Sequence, residues 1–164
     1  MPREGFLRAL SFHVVTGADL SVIIENMERY RQIPHTADIA ARIYGSTLKE
    51  LFRNAAFAMF DMSADLSSGV PDIVLQVRVG GADMEDLLVS WLNELLYRSS
   101  SEDIIFTGFA VDSLHENELK AAVKGFKAGP GKRVSKNEIK AATYHDLNIE
   151  KTPTGYEVTV VFDV

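Results

Sequence analysis

Three short stretches hold the residue types from which chemistry could be built. His35-Thr36-Ala37-Asp38 follows Pro34, where the proline interrupts a strand pattern. His145-Asp146 lies in a stretch, 137–150, that reads as a strand. Asp163 is the penultimate residue, followed by Val164 and its free carboxylate. Aspartate is a poor strand former and a buried charge needs compensation, so Asp38 and Asp163, each beside apolar strand residues, stand out. If their strands are central neighbours, two side-chain carboxylates and the terminal carboxylate converge and repel. A divalent cation would remove that cost. An all-oxygen donor set favours Ca²⁺ or Mg²⁺ over softer metals. Taken singly, each aspartate also reads as an ordinary strand-end residue in water.

The histidines offer a competing chemistry. His35 with Asp38, or His145 with Asp146, would suit zinc and an activated water. Neighbours on a strand point to opposite faces, so a strand through 145–146 disfavours joint ligation there. His13 and His115 have no partners in sequence. Motifs with a mechanism of their own are absent: no phosphate-binding glycine loop with its lysine, no strand–GxGxxG–helix unit, no HExxH, no GxSxG.

The elements that must position these residues follow from periodicity. A strand pattern begins at Tyr30 and breaks at Pro34. Ile39, Ala41 and Ile43 then alternate with Ala40, Arg42 and Tyr44 up to Gly45. Thr47 and Glu50 have capping-box spacing, and Leu48, Leu51, Phe52, Ala55 and Met59 repeat as on a helix that should run to about Asp61. After a loop at 63–72, residues 73–79 read as a strand closed by Gly80-Gly81. Asp83 fits an N-cap for a second helix, with Met84, Leu88, Trp91, Leu92 and Leu95 on its apolar face. A polar stretch, 98–103, precedes strands near 104–112, 118–126, 137–150 and 155–163, and Pro153-Thr154-Gly155 makes a hairpin of the last two. The expected class is α+β: one antiparallel or mixed sheet with two main helices packed on it.

The chain has 164 residues, enough for one domain that buries about two thirds of its unfolded surface. Its 46% hydrophobic and 24% charged residues exclude disordered and fibrous classes, and no apolar run is long enough for a membrane span. With no cysteine, disulfides, thiolate metal sites and cysteine catalysis are excluded, and a reducing, cytoplasmic setting fits. The net charge of −6 speaks against a cationic nucleic-acid coat, yet seven of the 17 basic residues fall between Lys120 and Lys140, opposed only by Glu138. They are Lys120, Lys124, Lys127, Lys132, Arg133, Lys136 and Lys140. That segment reads either as a patch for RNA or an acidic partner, or as a solvated strand face and loop. Residues 1–26 show no clean period and make a poor signal peptide. The patterned domain spans 27–164, and 1–26 reads either as an extension upstream of a natural start at Met27, not native or not ordered, or as a real but peripheral N-terminal segment.

The patterned region resembles the archease family. Ile33-Pro34-His35-Thr36-Ala37-Asp38-Ile39-Ala40 is similar to its opening signature, and 47–56 (TLKELFRNAA) to the segment that follows. Residues 87–97 (LLVSWLNELLY), 138–145 (EIKAATYH) and the ending Val161-Phe162-Asp163-Val164 complete a likeness that spans about 29–164. The resemblance implies an accessory protein, not itself an enzyme, whose partner is the RtcB-type RNA-splicing ligase. It implies promotion of the ligase's guanylylation and multiple turnover in tRNA splicing and RNA repair, with a broadened use of nucleoside triphosphates. RNA would be met through the ligase complex, with no membrane involved. It also implies a divalent cation, Ca²⁺ or in its place Mg²⁺ or Mn²⁺, held by Asp38, Asp163 and Val164. Two other classes stay open: a stand-alone metal-dependent phosphoesterase using Asp38, His35 and Asp163, and an RNA-binding or chaperone-like module.

Overall fold

The computed structural model describes residues 28–130 and 136–164. Residues 1–26, Met27, Lys132 and Arg133 lie outside them. Ten elements follow in order: β1 (Tyr30–Pro34), β2 (Ile39–Gly45), α1 (Leu48–Ser63), β3 (Ile73–Gly80), α2 (Met84–Glu102), β4 (Ile104–His115), β5 (Glu118–Lys127), β6 (Ala141–Ala142), β7 (Glu150–Thr152) and β8 (Gly155–Asp163). The class is α+β, as the periodicity predicts. The strands form two sheets instead of one, and every pairing in both is antiparallel. One sheet runs β1-β2-β8-β6, with β7 also on β8, and the other runs β3-β5-β4.

The helices join the two sheets. Helix α1 contacts β1, β2 and β8 of the first sheet and β4 of the second. Helix α2 contacts β6 of the first and β3, β4 and β5 of the second. Among the described residues no strand of one sheet runs beside a strand of the other, and their inward side chains meet in one core with the helices. A helix packed on two sides must be apolar on two sides, which is why α1 buries Leu51, Phe52, Ala55, Ala56, Ala58, Met59, Phe60 and Met62 instead of a single stripe. Trp91 of α2 is fully buried and places its indole Nε1–H on the carbonyl of Phe52 at 3.1 Å, satisfying the one donor that burial would otherwise strand.

The starts of the helices follow local chemistry. Thr47 is the N-cap of α1 and accepts from the Glu50 amide at 3.1 Å. The return half of the capping box is shifted by one residue: the Glu50 carboxylate accepts from the Ser46 amide at 2.8 Å and from the Ser46 hydroxyl, not from Thr47. Gly45 permits this tight entry, since a Cβ there would lie 2.4 Å from the Leu51 nitrogen. Asp83 caps α2 as expected, accepting from the Asp86 amide at 2.8 Å.

The ends of the helices are closed from a distance. Helix α1 runs two residues beyond the expected Asp61, and its last three carbonyls find donors far along the chain, after a cap by Ala64. Ala64 N–H serves Phe60, Lys136 Nζ serves Asp61, Asn137 serves Met62 and the Lys136 amide serves Ser63. Helix α2 continues through the polar stretch to Glu102. Arg98 pairs with Glu94 at 2.6 Å, the buried Ser99 hydroxyl donates to the Ile104 carbonyl at 2.6 Å, and Asp103 ends the helix in a left-handed conformation (φ 55°).

The single strand expected over 137–150 is replaced by two short ones. β6 pairs Ala141 with Asp163 and Ala142 with Phe162. β7 pairs Glu150, Lys151 and Thr152 with Glu157, Tyr156 and Gly155, the predicted hairpin. Between them the chain leaves the sheet at residues 144–149, through a turn with Asp146 at φ 47°. Two interactions with α2 hold it out. The Ile149 amide donates to Glu85 at 3.1 Å, and the Tyr144 hydroxyl donates to Asp86, which raises the Tyr144 pKa and lowers that of Asp86.

Candidate metal centre

The site residues collect at one end of the first sheet. The pairing of β2 with β8 closes at Ile39↔Phe162, so Asp38 and Asp163 are the next residues on two neighbouring strands. Ile39 and Phe162 face the helices, and the alternation of strands sends their neighbours toward the opposite face. On the other side of β8, Ala141 pairs with Asp163, and the Lys140 amide donates to the Asp163 carbonyl at 2.8 Å. The strand carrying Asp163 is therefore flanked on both sides, the central placement on which the carboxylate argument depends.

The turn that delivers Asp38 is tight. Ala37 takes a left-handed conformation (φ 65°), unusual for a residue with a Cβ, between Pro34 and the start of β2. His35 Nδ1 stands 3.8 Å from Asp38 Oδ2, both side chains about one third exposed. Among the described residues no lysine or arginine pairs with Asp38 or Asp163. Two carboxylates at one sheet end without a cationic side chain suit a bound cation, which would offset their repulsion. Also among the described residues, no group of three or more His, Asp or Glu side chains stands ready to hold a metal. The third ligand that the resemblance implies, Val164, follows Asp163 directly in the sequence. The donor chemistry fits a hard cation.

The two histidine pairs come together, which sequence alone did not suggest. The His35 and His145 rings meet edge to face with centroids 5.9 Å apart. His145 and Asp146 do not point to opposite faces of a strand, because they lie in the turn after β6, where His145 Nε2 stands 3.3 Å from Asp146 Oδ2. Both remain exposed, the His145 side chain at 60% and that of Asp146 at 91%.

Asn93 has a positioning role that the sequence reading missed. Ala142 forms a non-hydrogen-bonded pair with Phe162, since its neighbour Thr143 donates to Val161, so its own N–H and C=O point away from β8. Asn93 of α2 takes both: its Oδ1 accepts from Ala142 N–H at 2.8 Å and its Nδ2 donates to Ala142 C=O at 3.1 Å. The carboxamide stands in for a further strand. The available signal was an asparagine, a poor helix former, in the middle of the second helix.

The cluster of basic residues also resolves. Lys127 Nζ donates to the Glu102 carbonyl and Lys136 Nζ to that of Asp61, so both serve helix C-termini. Lys120 and Lys124 sit on the outer face of the second sheet.

Two antiparallel sheets joined by two helices, with aspartates at the same end of two neighbouring strands of one sheet, define the class of protein: a small α+β domain with an acidic sheet end. Residues 30–164 match the model of the Archease protein family, so the chain belongs to the archease family. It is 40% identical over 141 residues to protein archease of Methanosarcina acetivorans, covering 84% of this chain and 97% of that protein. It is 41% identical over 133 residues to protein archease of Pyrococcus abyssi, covering 79% and 93%. The solution structure of Methanobacterium thermoautotrophicum protein 1598 matches with a TM-score of 0.68 at 30% identity, over 84% of this chain and all of that one.

Proposed function

We propose that this protein is an accessory activator of an RtcB-type RNA-splicing ligase. It promotes guanylylation of the ligase, permits multiple turnover in tRNA splicing or RNA repair and broadens the choice of nucleoside triphosphate. It is not itself a ligase, and it works in the cytoplasm. The observation that carries this reading is membership of the archease family across the whole patterned region, from the turn bearing Asp38 to the strand bearing Asp163. Among the described residues no helix is long and apolar enough to cross a membrane.

In this reading Asp38, Asp163 and the carboxylate of Val164 hold a divalent cation of the Ca²⁺ type, with Mg²⁺ or Mn²⁺ able to take its place. Such an ion would neutralise the carboxylates and present a cationic tip where a partner handles triphosphate and metal. The side chains of this chain bind and orient: the Ala37 turn aims Asp38, and Asn93 with the Lys140 amide fixes the edge beside Asp163.

The deciding experiment is RNA joining by substoichiometric cognate ligase, with and without this protein. Repeated joining and faster guanylylation are expected only when it is present. An equal rate of guanylylation without it would refute the role. Hydrolysis of a simple phosphodiester by the protein alone would instead place it among the phosphoesterases.

A further inference from the structure

We infer that the outer face of the β3-β5-β4 sheet binds a nucleic-acid phosphate backbone. Its identification as RNA rests on the function proposed above. The face is defined by register. Val77, Leu119, Ala121 and Val123 turn to the core, so the alternate residues Arg78, Lys120, Ala122 and Lys124 turn outward. Both helices occupy the inner side, since the core cluster joins their buried residues to these inward side chains.

A sheet face turned to water is ordinary in an antiparallel sheet. The charge arrangement on this one is not. Arg78 and Lys120 are direct cross-strand partners, a like-charged pair that costs stability. Glu118 contacts both and offsets one charge, and the Arg78 guanidinium holds its carboxyl below the usual carboxylate range. Lys124 has no ion-pair partner among the described residues, and its methylenes lie against Gly108 of β4. Between these cations lie the small residues Ala122 and Ala110, paired across β5 and β4. The result is a sheet face with cations on either side of two alanines, and with Asp112 exposed at the bulge opposite Lys120.

The composition of this face selects its occupant. A protein partner is held by a desolvated centre of large apolar or aromatic side chains, and lysine is depleted from such centres. Here the only large exposed apolar residue on the face is Val74, opposite Lys124. A phosphate backbone needs none of that: exposed cations on flexible stems suffice, and displaced counterions supply the free energy. The overall charge of −6 keeps such binding weak and confined to this face.

The test is fluorescence anisotropy of a labelled single-stranded RNA oligonucleotide against full-length protein over a series of salt concentrations. The wild type should bind with a negative slope of log K against log salt. The variant carrying Arg78→Gln, Lys120→Gln and Lys124→Gln should have a slope shallower by about 2, at about 0.7 per phosphate. The wild-type advantage then grows about fourfold for each halving of salt. Lys124→Glu alone, at a side chain without an ion pair, should weaken binding without unfolding. Lys151→Glu, on β7 of the other sheet, should leave binding unchanged. No RNA binding by the wild type, an unchanged slope in the triple variant, or an equal loss with Lys151→Glu would each overturn the inference. So would loss of ligase binding by the triple variant with its RNA slope intact, which marks a protein interface. Guanylylation of the ligase without RNA tests the activator role separately, and the triple variant should support it at the wild-type rate.

Discussion

Replacing Asn93 tests whether one side chain holds the edge of the sheet beside Asp163. Asn93→Ala removes two hydrogen bonds, at 2.8 and 3.1 Å, from the N–H and C=O of Ala142. Each is worth about 1 kcal/mol net, so the expected loss is about 2 kcal/mol, more if water cannot reach the freed groups. For a chain of this size that corresponds to a fall in Tm of about 4–8 °C. Urea denaturation gives the energy, and hydrogen exchange locates it: the Ala142 amide should lose protection while amides of β2 keep theirs. Asn93→Leu keeps the bulk but not the bonds, so it should recover less than half of the loss. The Lys140 and Thr143 amides still bind the chain on either side of β6 to β8, so the loss of Ca²⁺ affinity should be smaller than the loss of stability. Unchanged protection at Ala142, or full rescue by leucine, would refute the argument and leave Asn93 a packing residue.

The metal assignment predicts weaker Ca²⁺ binding by calorimetry for Asp38→Ala, for Asp163→Ala and for a chain lengthened by one residue after Val164, with the fold intact in each. Undiminished binding in all three would refute it, and loss only on replacing His35 or His145 would favour the histidine site. Gly155→Ala should cost about 2–3 kcal/mol, because at φ 147° a Cβ would lie 2.2 Å from the Gly45 carbonyl oxygen. Gly129→Ala, also at positive φ but with open space around it, should cost less by the same thermal denaturation. Burial alone would raise the Glu50 pKa, but the Ser46 hydroxyl and amide with Arg53 and Arg29 outweigh it and lower it. A lowered folded-state pKa stabilises above the unfolded value of about 4.3 and ceases to do so as pH falls through the folded value. The Tm advantage over Glu50→Gln should therefore be full at neutral pH and vanish on acidification through that window.

Local order was decided by the sequence. The alternation of Ile39, Ala41 and Ile43, the caps at Thr47 and Asp83, and the final hairpin all appear where periodicity and turn chemistry put them. Each depends on residues within a few positions of one another, and such interactions are written in the chain directly. Asp38 and Asp163 were legible as candidates for the same reason: a charge beside apolar strand residues is a local anomaly.

The tertiary structure decided what is far apart in the chain. That Asp38 and Asp163 stand at the same end of adjacent strands follows from the register of β2 on β8, which a shift of one residue would abolish. The division into two sheets joined by helices cannot be read from a strand count, since an inward-facing strand has the same pattern whichever sheet it joins. The 137–150 segment fails as one strand because Asn93, Glu85 and Asp86 of α2 hold its backbone and Tyr144 more effectively than the sheet does. The seven-residue basic run likewise divides by three-dimensional neighbourhood, with Lys127 and Lys136 drawn to helix ends and Lys120 and Lys124 left on an open sheet face beside Arg78. Hydrogen bonds and charges act over a few ångströms of space, and only the folded chain sets those distances.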